Sequence, residues 1–263
     1  MVRKLFTIHY SLFTVFCVLC SVLCFLLLSC ATTPDADDIK NAEVRYKIGA
    51  SYLTEQRLND ASIEFRKAIA LNPQDKQSLN YLGLISTEFE KYDEAVSYFN
   101  RAIAIDPNYS EAMNNLGVTY TRRHMWDDAV NYFKMALKNP LYATPEMAYS
   151  NMGYAFYSKG DYVSAADAMK KSLMRSPESP RANYILGLVH VKLGDDETAI
   201  EGFKKAVAAA PDYTDAHWEL ANAYLRTGDN EKALKHFRIV VKIGGSDERV
   251  KEALRQIEAL RGQ

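Results

Sequence analysis

The sequence predicts an all-α fold, a solenoid of about six stacked helix pairs that ends in a capping helix. The first observation is a period of 34 residues, by which Gly83 recurs as Gly117 and Phe99 recurs as Phe133. The second is that each period contains two stretches with apolar residues three and four positions apart, the spacing of amphipathic helices. Each unit therefore supplies a helix A and a helix B. Neighbouring units are expected to stack, because one pair cannot bury its apolar face alone.

The N-terminus, residues 1–29, has the layout of a secretory signal. The basic residues Arg3 and Lys4 precede an apolar run over residues 12–28, and small residues follow. The run is also just long enough to span a bilayer. Two interpretations therefore remain open, an uncleaved membrane anchor and a signal peptide removed before Cys30.

The segment Leu27-Leu28-Ser29-Cys30 resembles the bacterial lipobox. That resemblance implies that Cys30 becomes the new N-terminus and carries acyl chains such as palmitate, which anchor the protein to a membrane. Ala31 follows where an aspartate would favour the inner membrane, so the resemblance implies the outer membrane. Residues 30–41 are then the lipidated cysteine and a short tether, whose ten residues from Ala31 to Lys40 reach at most about 35 Å.

The repeats occupy residues 42–245, in six units that begin at 42, 76, 110, 146, 180 and 214. Gly83 and Ala95 are small enough to let helices A and B of one unit approach closely, and Phe99 is expected to insert between them. Glycine followed by aspartate marks three of the A-to-B turns, at Gly160, Gly194 and Gly228. Glycine suits a left-handed residue at the end of a helix, and aspartate suits the N-cap of the next. The first three repeats carry Gln56, Glu90 and His124 at the glycine position.

Two segments depart from the 34-residue period. The third repeat extends to Pro145, and its junction, Asn139–Pro145, contains two prolines. We weigh two interpretations of this junction, a tolerated insertion in a surface turn and a recognition feature. Residues 246–263 form a predicted helix with a Ser246 N-cap and an apolar face of Val250, Leu254, Ile257 and Leu260. This helix is expected to cap the last repeat, with partner binding as the alternative.

Composition and motifs give no indication of chemistry. The net charge of −1 argues against nucleic acid as a partner. All four cysteines precede residue 31, so the repeats contain no thiol for a disulfide, a zinc site or a nucleophile. His190 and His217, on A helices of adjacent repeats, could approach each other, but no carboxylate or cysteine joins them at ligand spacing, so a solvated or packing role is expected in place of a metal site. No catalytic motif, cofactor site, metal site or small-molecule substrate site is recognisable, so the protein is not predicted to be an enzyme.

The pattern L-G-x-x-Y, then A-x-x-x-F, then A and P, resembles the tetratricopeptide repeat. The resemblance implies a right-handed superhelix whose A helices line a groove, through positions 2, 5, 9 and 12 of each unit. The groove residues predicted to bind a protein partner are Tyr46, Leu53, Asn80, Leu84, Asn114, Val118, Tyr154, Tyr157, Tyr184 and Trp218. The first repeats are expected to contribute most, with asparagines bonding to the partner's backbone and aromatic rings acting as anchors. For any one ring, packing between A helices is the alternative.

A lipidated N-terminus, a short tether, six repeats and the stretch 139–156 together resemble the type IV pilus pilotins, the PilF/PilW/Tgl-like lipoproteins. The resemblance implies an outer-membrane protein that faces the periplasm, binds secretin subunits and promotes their assembly into the pilus pore. Two other functions remain open. One is a general periplasmic adaptor that recruits envelope proteases or peptidoglycan enzymes, and the other is an accessory subunit of an outer-membrane protein assembly machine.

Overall fold

The computed structural model describes residues 34–244 and 247–261, and within these ranges the chain is helical with no strands. Thirteen helices follow one another there. They are α1 (Ala36–Thr54), α2 (Leu58–Leu71), α3 (Lys76–Glu88), α4 (Tyr92–Ile105), α5 (Ser110–Arg122), α6 (Trp126–Ala136), α7 (Pro145–Lys159), α8 (Tyr162–Leu173), α9 (Pro180–Lys192), α10 (Asp196–Ala209), α11 (Thr214–Arg226), α12 (Asn230–Ile243) and α13 (Asp247–Arg261).

The predicted all-α class is confirmed by this order of six helix pairs and a last helix. None of the helices in the described ranges combines the length and the apolar character needed to cross a bilayer. The predicted signal peptide, the lipidation of Cys30 and the Ser246 N-cap all fall outside the described residues.

The chain divides into two compact units, residues 1–73 and 74–263. In the described part of the first unit, α1 and α2 pack together as one pair. Helix α1 begins at Ala36, and the Asp35 side chain caps it by accepting a hydrogen bond of 2.7 Å from the Asp38 amide. The predicted tether of residues 30–41 was therefore too long, because an N-cap places the helix start six residues before Ala42.

In the second unit, helices α3 to α13 pack in series, each against the next. The A helices α3, α5, α7, α9 and α11 also contact one another in turn, so they form a continuous surface along one side of this unit. That surface is where the predicted groove residues from Asn80 to Trp218 are located.

Inside a pair, a glycine of helix A faces an aromatic ring of helix B. A Cβ added to Gly83 would lie 2.6 Å from the Phe99 ring, and one added to Gly117 would lie 2.6 Å from Phe133. Ala95 and Phe99 are both fully buried. The predicted roles of the small residues and of Phe99 are thus confirmed, because a side chain at Gly83 would occupy the volume of the ring.

The A-to-B turns all use a left-handed residue. Gly160 has φ +89°, and the non-glycine residues Gln56, Glu90 and His124 adopt φ values of +58°, +58° and +59° at the equivalent position. Asp161 then accepts a hydrogen bond from the Ser164 amide at the start of α8. The turn geometry is therefore common to repeats with and without glycine.

Helix α13 closes the apolar end of the last pair, as predicted. Ala253 and Ile257 are buried in one cluster with Phe237 and Val240 of α12. Leu254, which was predicted to belong to the apolar face, is instead exposed. The buried stripe runs through positions 253 and 257, so residue 254 lies on the solvent side of the helix.

Candidate partner-binding site

The asparagines of the groove bond to one another along the A helices. Asn115 Nδ2 donates to Asn80 Oδ1 at 3.0 Å, and Asn151 Nδ2 donates to Asn114 Oδ1 at 3.2 Å. Asn80 and Asn114 are only 6% and 5% exposed. The Oδ1 atoms of Asn80 and Asn114 therefore accept hydrogen bonds from the next repeat, and the predicted bonding of these asparagines to a partner's backbone remains a prediction.

A concavity lies further along the A helices, between α5, α7 and α9 and the residue before α11. It has a volume of about 480 Å³, within the 300–1,000 Å³ typical of ligand pockets. Its lining comprises Val118, Thr121, Arg122, Asn151, Tyr154, Arg181, Tyr184, Ile185, Leu188 and Tyr213. We call this the tyrosine–arginine cavity. It brings together three of the predicted residues, Val118, Tyr154 and Tyr184.

Arg181 is held in a defined position in this cavity. One terminal nitrogen of its guanidinium donates to Asn151 Oδ1 at 3.0 Å, and its Cζ lies 5.7 Å from the centre of the Tyr154 ring. A cation above an aromatic face is attracted to the ring. Tyr154 remains 38% exposed, so the ring supports the guanidinium and still faces solvent.

Aromatic side chains continue the groove towards α11. The Tyr184 ring lies 5.0 Å from that of Tyr213, and the Trp218 ring lies 5.4 Å from that of Phe237. Burial raises the pKa of the Tyr184 hydroxyl, and the nearby Glu219 carboxyl raises it further. Burial also raises the pKa of Glu219, against the opposing effect of Arg226 and Lys192. This end of the groove is therefore aromatic and partly desolvated.

Several predicted residues pack within their own repeats or against the capping helix. Tyr157 lies 5.8 Å from the Tyr162 ring, and Arg249 of α13 lies over Trp218. In the first unit, Tyr46 is half-buried with its ring 6.0 Å from Phe65, and Leu53 is half-buried. For these aromatic residues the packing interpretation fits the contacts.

Leu84 was predicted to contribute to the groove in the first repeats, and its side chain is exposed. Sequence reasoning missed Arg122, Arg181 and Tyr213. Arg181 occupies position 2 of its repeat, one of the positions expected to line the groove, so its side chain was within reach of the same reasoning.

The side chain of Asn139 fixes the start of the junction Asn139–Pro145. Asn139 Nδ2 donates to the Asn108 carbonyl at 3.1 Å, and its Oδ1 accepts from the Leu141 amide at 2.9 Å. Tyr142 is 7% exposed and is buried with Met113, whereas Leu141 is 88% exposed. The junction is therefore an anchored turn that holds one leucine in solvent.

The histidines pair differently from the prediction. His190 Nδ1 lies 3.1 Å from Asp195 Oδ2, whereas His217 Nδ1 lies 2.9 Å from His236 Nδ1. His190 and His217 thus bond to separate partners within their own repeats. Within the described ranges, no three His, Cys, Asp or Glu side chains are grouped so that they could hold a metal ion.

Comparison with known proteins supports the repeat assignment. Tetratricopeptide repeat models match residues 42–75, 77–140, 115–180, 150–214 and 197–257. No curated protein matches the chain.

Several solved structures have a similar fold. PilW, described as a widely conserved type IV pilus biogenesis factor, shares 22% identity with a TM-score of 0.75, over 81% of this chain and 98% of PilW. Pseudomonas aeruginosa PilF shares 14% identity with a TM-score of 0.74, over 84% of this chain and 99% of PilF. YrrB, a tetratricopeptide protein described as having an unusual peptide-binding site, shares 18% identity with a TM-score of 0.57, over 73% of this chain and 97% of YrrB.

Proposed function

Because this chain belongs to the tetratricopeptide repeat family, we propose that it is a lipid-anchored scaffold of the outer membrane that promotes secretin assembly during type IV pilus biogenesis. The repeats bind a protein partner, as members of this family do. We propose further that the partner is a secretin subunit and that the protein faces the periplasm at the outer membrane.

The observation that carries the proposal is the extent of the likeness to PilW and PilF. The matching region takes in 98% of PilW and 99% of PilF, so nearly the whole of each of those proteins has a counterpart in this fold. PilW is described as a type IV pilus biogenesis factor. The lipobox-like Leu27–Cys30 and the altered period at Asn139–Pro145 add sequence features that fit a pilotin.

The mechanism is binding, and no covalent bond is broken. Acyl chains on Cys30 keep the array at the membrane, since more than one chain gives stable anchoring. The groove and the exposed Leu141 then hold a segment of a secretin subunit until the ring closes. Tyrosine, tryptophan and arginine dominate the binding energy of protein interfaces, and all three are present along the groove.

Deletion of the gene tests the function. We expect the deletion strain to contain mainly monomeric secretin, and the wild-type gene to restore the multimer that resists detergent. Immunoblotting of membranes with an antibody against the secretin measures both forms. A deletion strain with normal multimers would exclude this function. Recovery of envelope proteases or peptidoglycan hydrolases with the protein would then favour the general adaptor.

Replacement of Cys30 by alanine tests the anchor. We expect Cys30→Ala to leave the membrane fraction and to lose incorporation of labelled palmitate. Cys24→Ala, a matched change in the same apolar segment, should keep both properties. Membrane association and labelling that persist in Cys30→Ala would overturn the lipoprotein assignment.

A further inference from the structure

The tyrosine–arginine cavity has charges of one sign. The charged residues that line it are Arg122 and Arg181. Arg122 forms an ion pair of 2.9 Å with Glu88. For Arg181, no carboxylate lies within ion-pair distance among the residues that the structure describes, and its hydrogen bond goes to the neutral Asn151 amide. Arg181 is exposed, so a guanidinium that forms no ion pair within the described residues faces the cavity.

The guanidinium is also positioned before any partner arrives. Asn151 fixes one of its nitrogens, and the Tyr154 ring supports its plane. Asn151 is itself fixed by its bond to Asn114, so three A helices contribute to the arrangement. A preorganised guanidinium loses less side-chain entropy when it binds, and its remaining N–H groups match a carboxylate.

Apolar surface lies directly beside this positive charge. Tyr184 and Leu188 are half-buried in the lining, and the Tyr213 ring packs against Tyr184. Rigid tyrosine rings provide large contact areas at low entropic cost. A ligand that fits the cavity therefore combines a negative group with an apolar one.

We propose that the tyrosine–arginine cavity binds an extended peptide segment of the partner, in which an aspartate or glutamate lies next to an apolar residue. The acidic side chain pairs with Arg181, and the apolar side chain lies against Tyr184 and Leu188. This inference rests on the proposed function only in that the array binds a protein segment.

Selection from a random heptapeptide library, fused so that no free C-terminal carboxylate is present, tests the proposal. The target is the full chain, purified in detergent. Selected peptides should contain Asp or Glu beside an apolar residue more often than the starting library. By fluorescence anisotropy they should bind Arg181→Glu about tenfold more weakly, which corresponds to about 1.4 kcal/mol. Arg238→Glu, an equal change of charge at an exposed residue of α12, should bind them within twofold of the wild type.

Circular dichroism and thermal melting of both variants check that they are folded. Arg181→Lys provides a second variant at this position, which keeps the charge without the bidentate geometry. It should bind the peptides with intermediate affinity. Selected peptides without acidic residues, equal binding to Arg181→Glu, or no selected peptide at all would overturn the inference.

The secretin assay separates this result from the proposed function. If peptides behave as expected while the deletion strain assembles normal secretin, the cavity assignment stands and the secretin role fails. If Arg181→Glu restores full secretin assembly in the deletion strain and no acidic peptide is selected, the cavity assignment fails and the secretin role stands.

Discussion

At the scale of single residues, the contact between Gly83 and Phe99 determines how closely two helices pack. The ring is fully buried and lies where a side chain at residue 83 would extend. Equivalent contacts join Gly117 to Phe133 in the next pair. Glycine is therefore needed at this position, because a larger residue would overlap the ring at the observed distance between the two helices.

We expect Gly83→Ala to lower the free energy of unfolding by about 1–3 kcal/mol, the usual cost of overpacking a core. The new methyl group would lie 2.6 Å from the Phe99 ring, which is fully buried. Urea denaturation followed by circular dichroism measures the change. Ser97→Ala, on the exposed side of α4, is the control and should be neutral. A Gly83→Ala variant as stable as the wild type would contradict the steric explanation.

The buried pair of His217 and His236 should make the free energy of unfolding depend on pH. Burial and the neighbouring His217 lower the pKa of His236 to about 4, and burial lowers the pKa of His217. An unfolded histidine has a pKa near 6.5. Between about pH 6.5 and 4 the unfolded chain therefore binds more protons than the folded one, so stability falls as the pH falls through this window.

We expect His236→Gln to flatten this dependence, because it removes the imidazole that resists protonation. The melting temperature measured from pH 7.5 to 4 should fall less in the variant than in the wild type. The corresponding difference in the free energy of unfolding is on the order of 2 kcal/mol at the acidic end. His124→Gln, at an exposed turn, should leave the slope unchanged. Parallel slopes for wild type and His236→Gln would exclude the pair as the cause.

At the scale of elements, the junction between α6 and α7 has one buried and one exposed large side chain at adjacent positions. Tyr142 is buried with Met113, Ala136 and Ala148, which belong to helices on both sides of the junction. Leu141, the preceding residue, faces solvent. The insertion thus packs Tyr142 between the neighbouring helices and leaves Leu141 exposed to solvent.

We expect Tyr142→Ala to destabilise the protein by about 2–4 kcal/mol, as loss of a buried aromatic side chain does. Leu141→Asp should change stability by less than about 0.5 kcal/mol. Equilibrium unfolding in urea measures both. If Leu141 contacts the secretin, Leu141→Asp should also reduce the secretin multimer without unfolding the protein. A large loss of stability in Leu141→Asp would show that this side chain is packed.

Helix α13 offers a second matched pair. Ile257 is buried against the core of α11 and α12, whereas Leu254 is exposed on the same helix. We expect Ile257→Ala to cost about 2–4 kcal/mol and Leu254→Ala less than about 0.5 kcal/mol. Hydrogen exchange should show faster exchange in α11 and α12 for Ile257→Ala. Equal effects of the two changes would mean that α13 does not cap the array.

At the scale of the whole molecule, packing between helices provides the stability without covalent links. The four cysteines all precede residue 31, so the repeats contain none. We expect the melting temperature of the full chain to be the same with and without a thiol reductant, because no disulfide can constrain the unfolded repeats. A shift of several degrees would reveal a covalent link through the N-terminal cysteines.

The sequence by itself determined the helix pairs, their order and the contacts within each pair. Gly83, Ala95 and Phe99 were assigned correctly because they act within one repeat, and the same local packing recurs in the others. The aspartate N-caps at Asp161, Asp195 and Asp229 were also predictable, since a cap bonds to the backbone three residues away.

The tertiary structure alone decided which groove residues a partner can reach. Asn80 and Asn114 bond to residues 35 and 37 positions away, and both side chains are buried. The cavity around Arg181 likewise combines side chains from three successive A helices. Periodicity places each residue on a helix face, but the exposure of that face depends on the side chains that neighbouring repeats bring to it. Those side chains differ between repeats, so a shared pattern cannot specify where the groove is open.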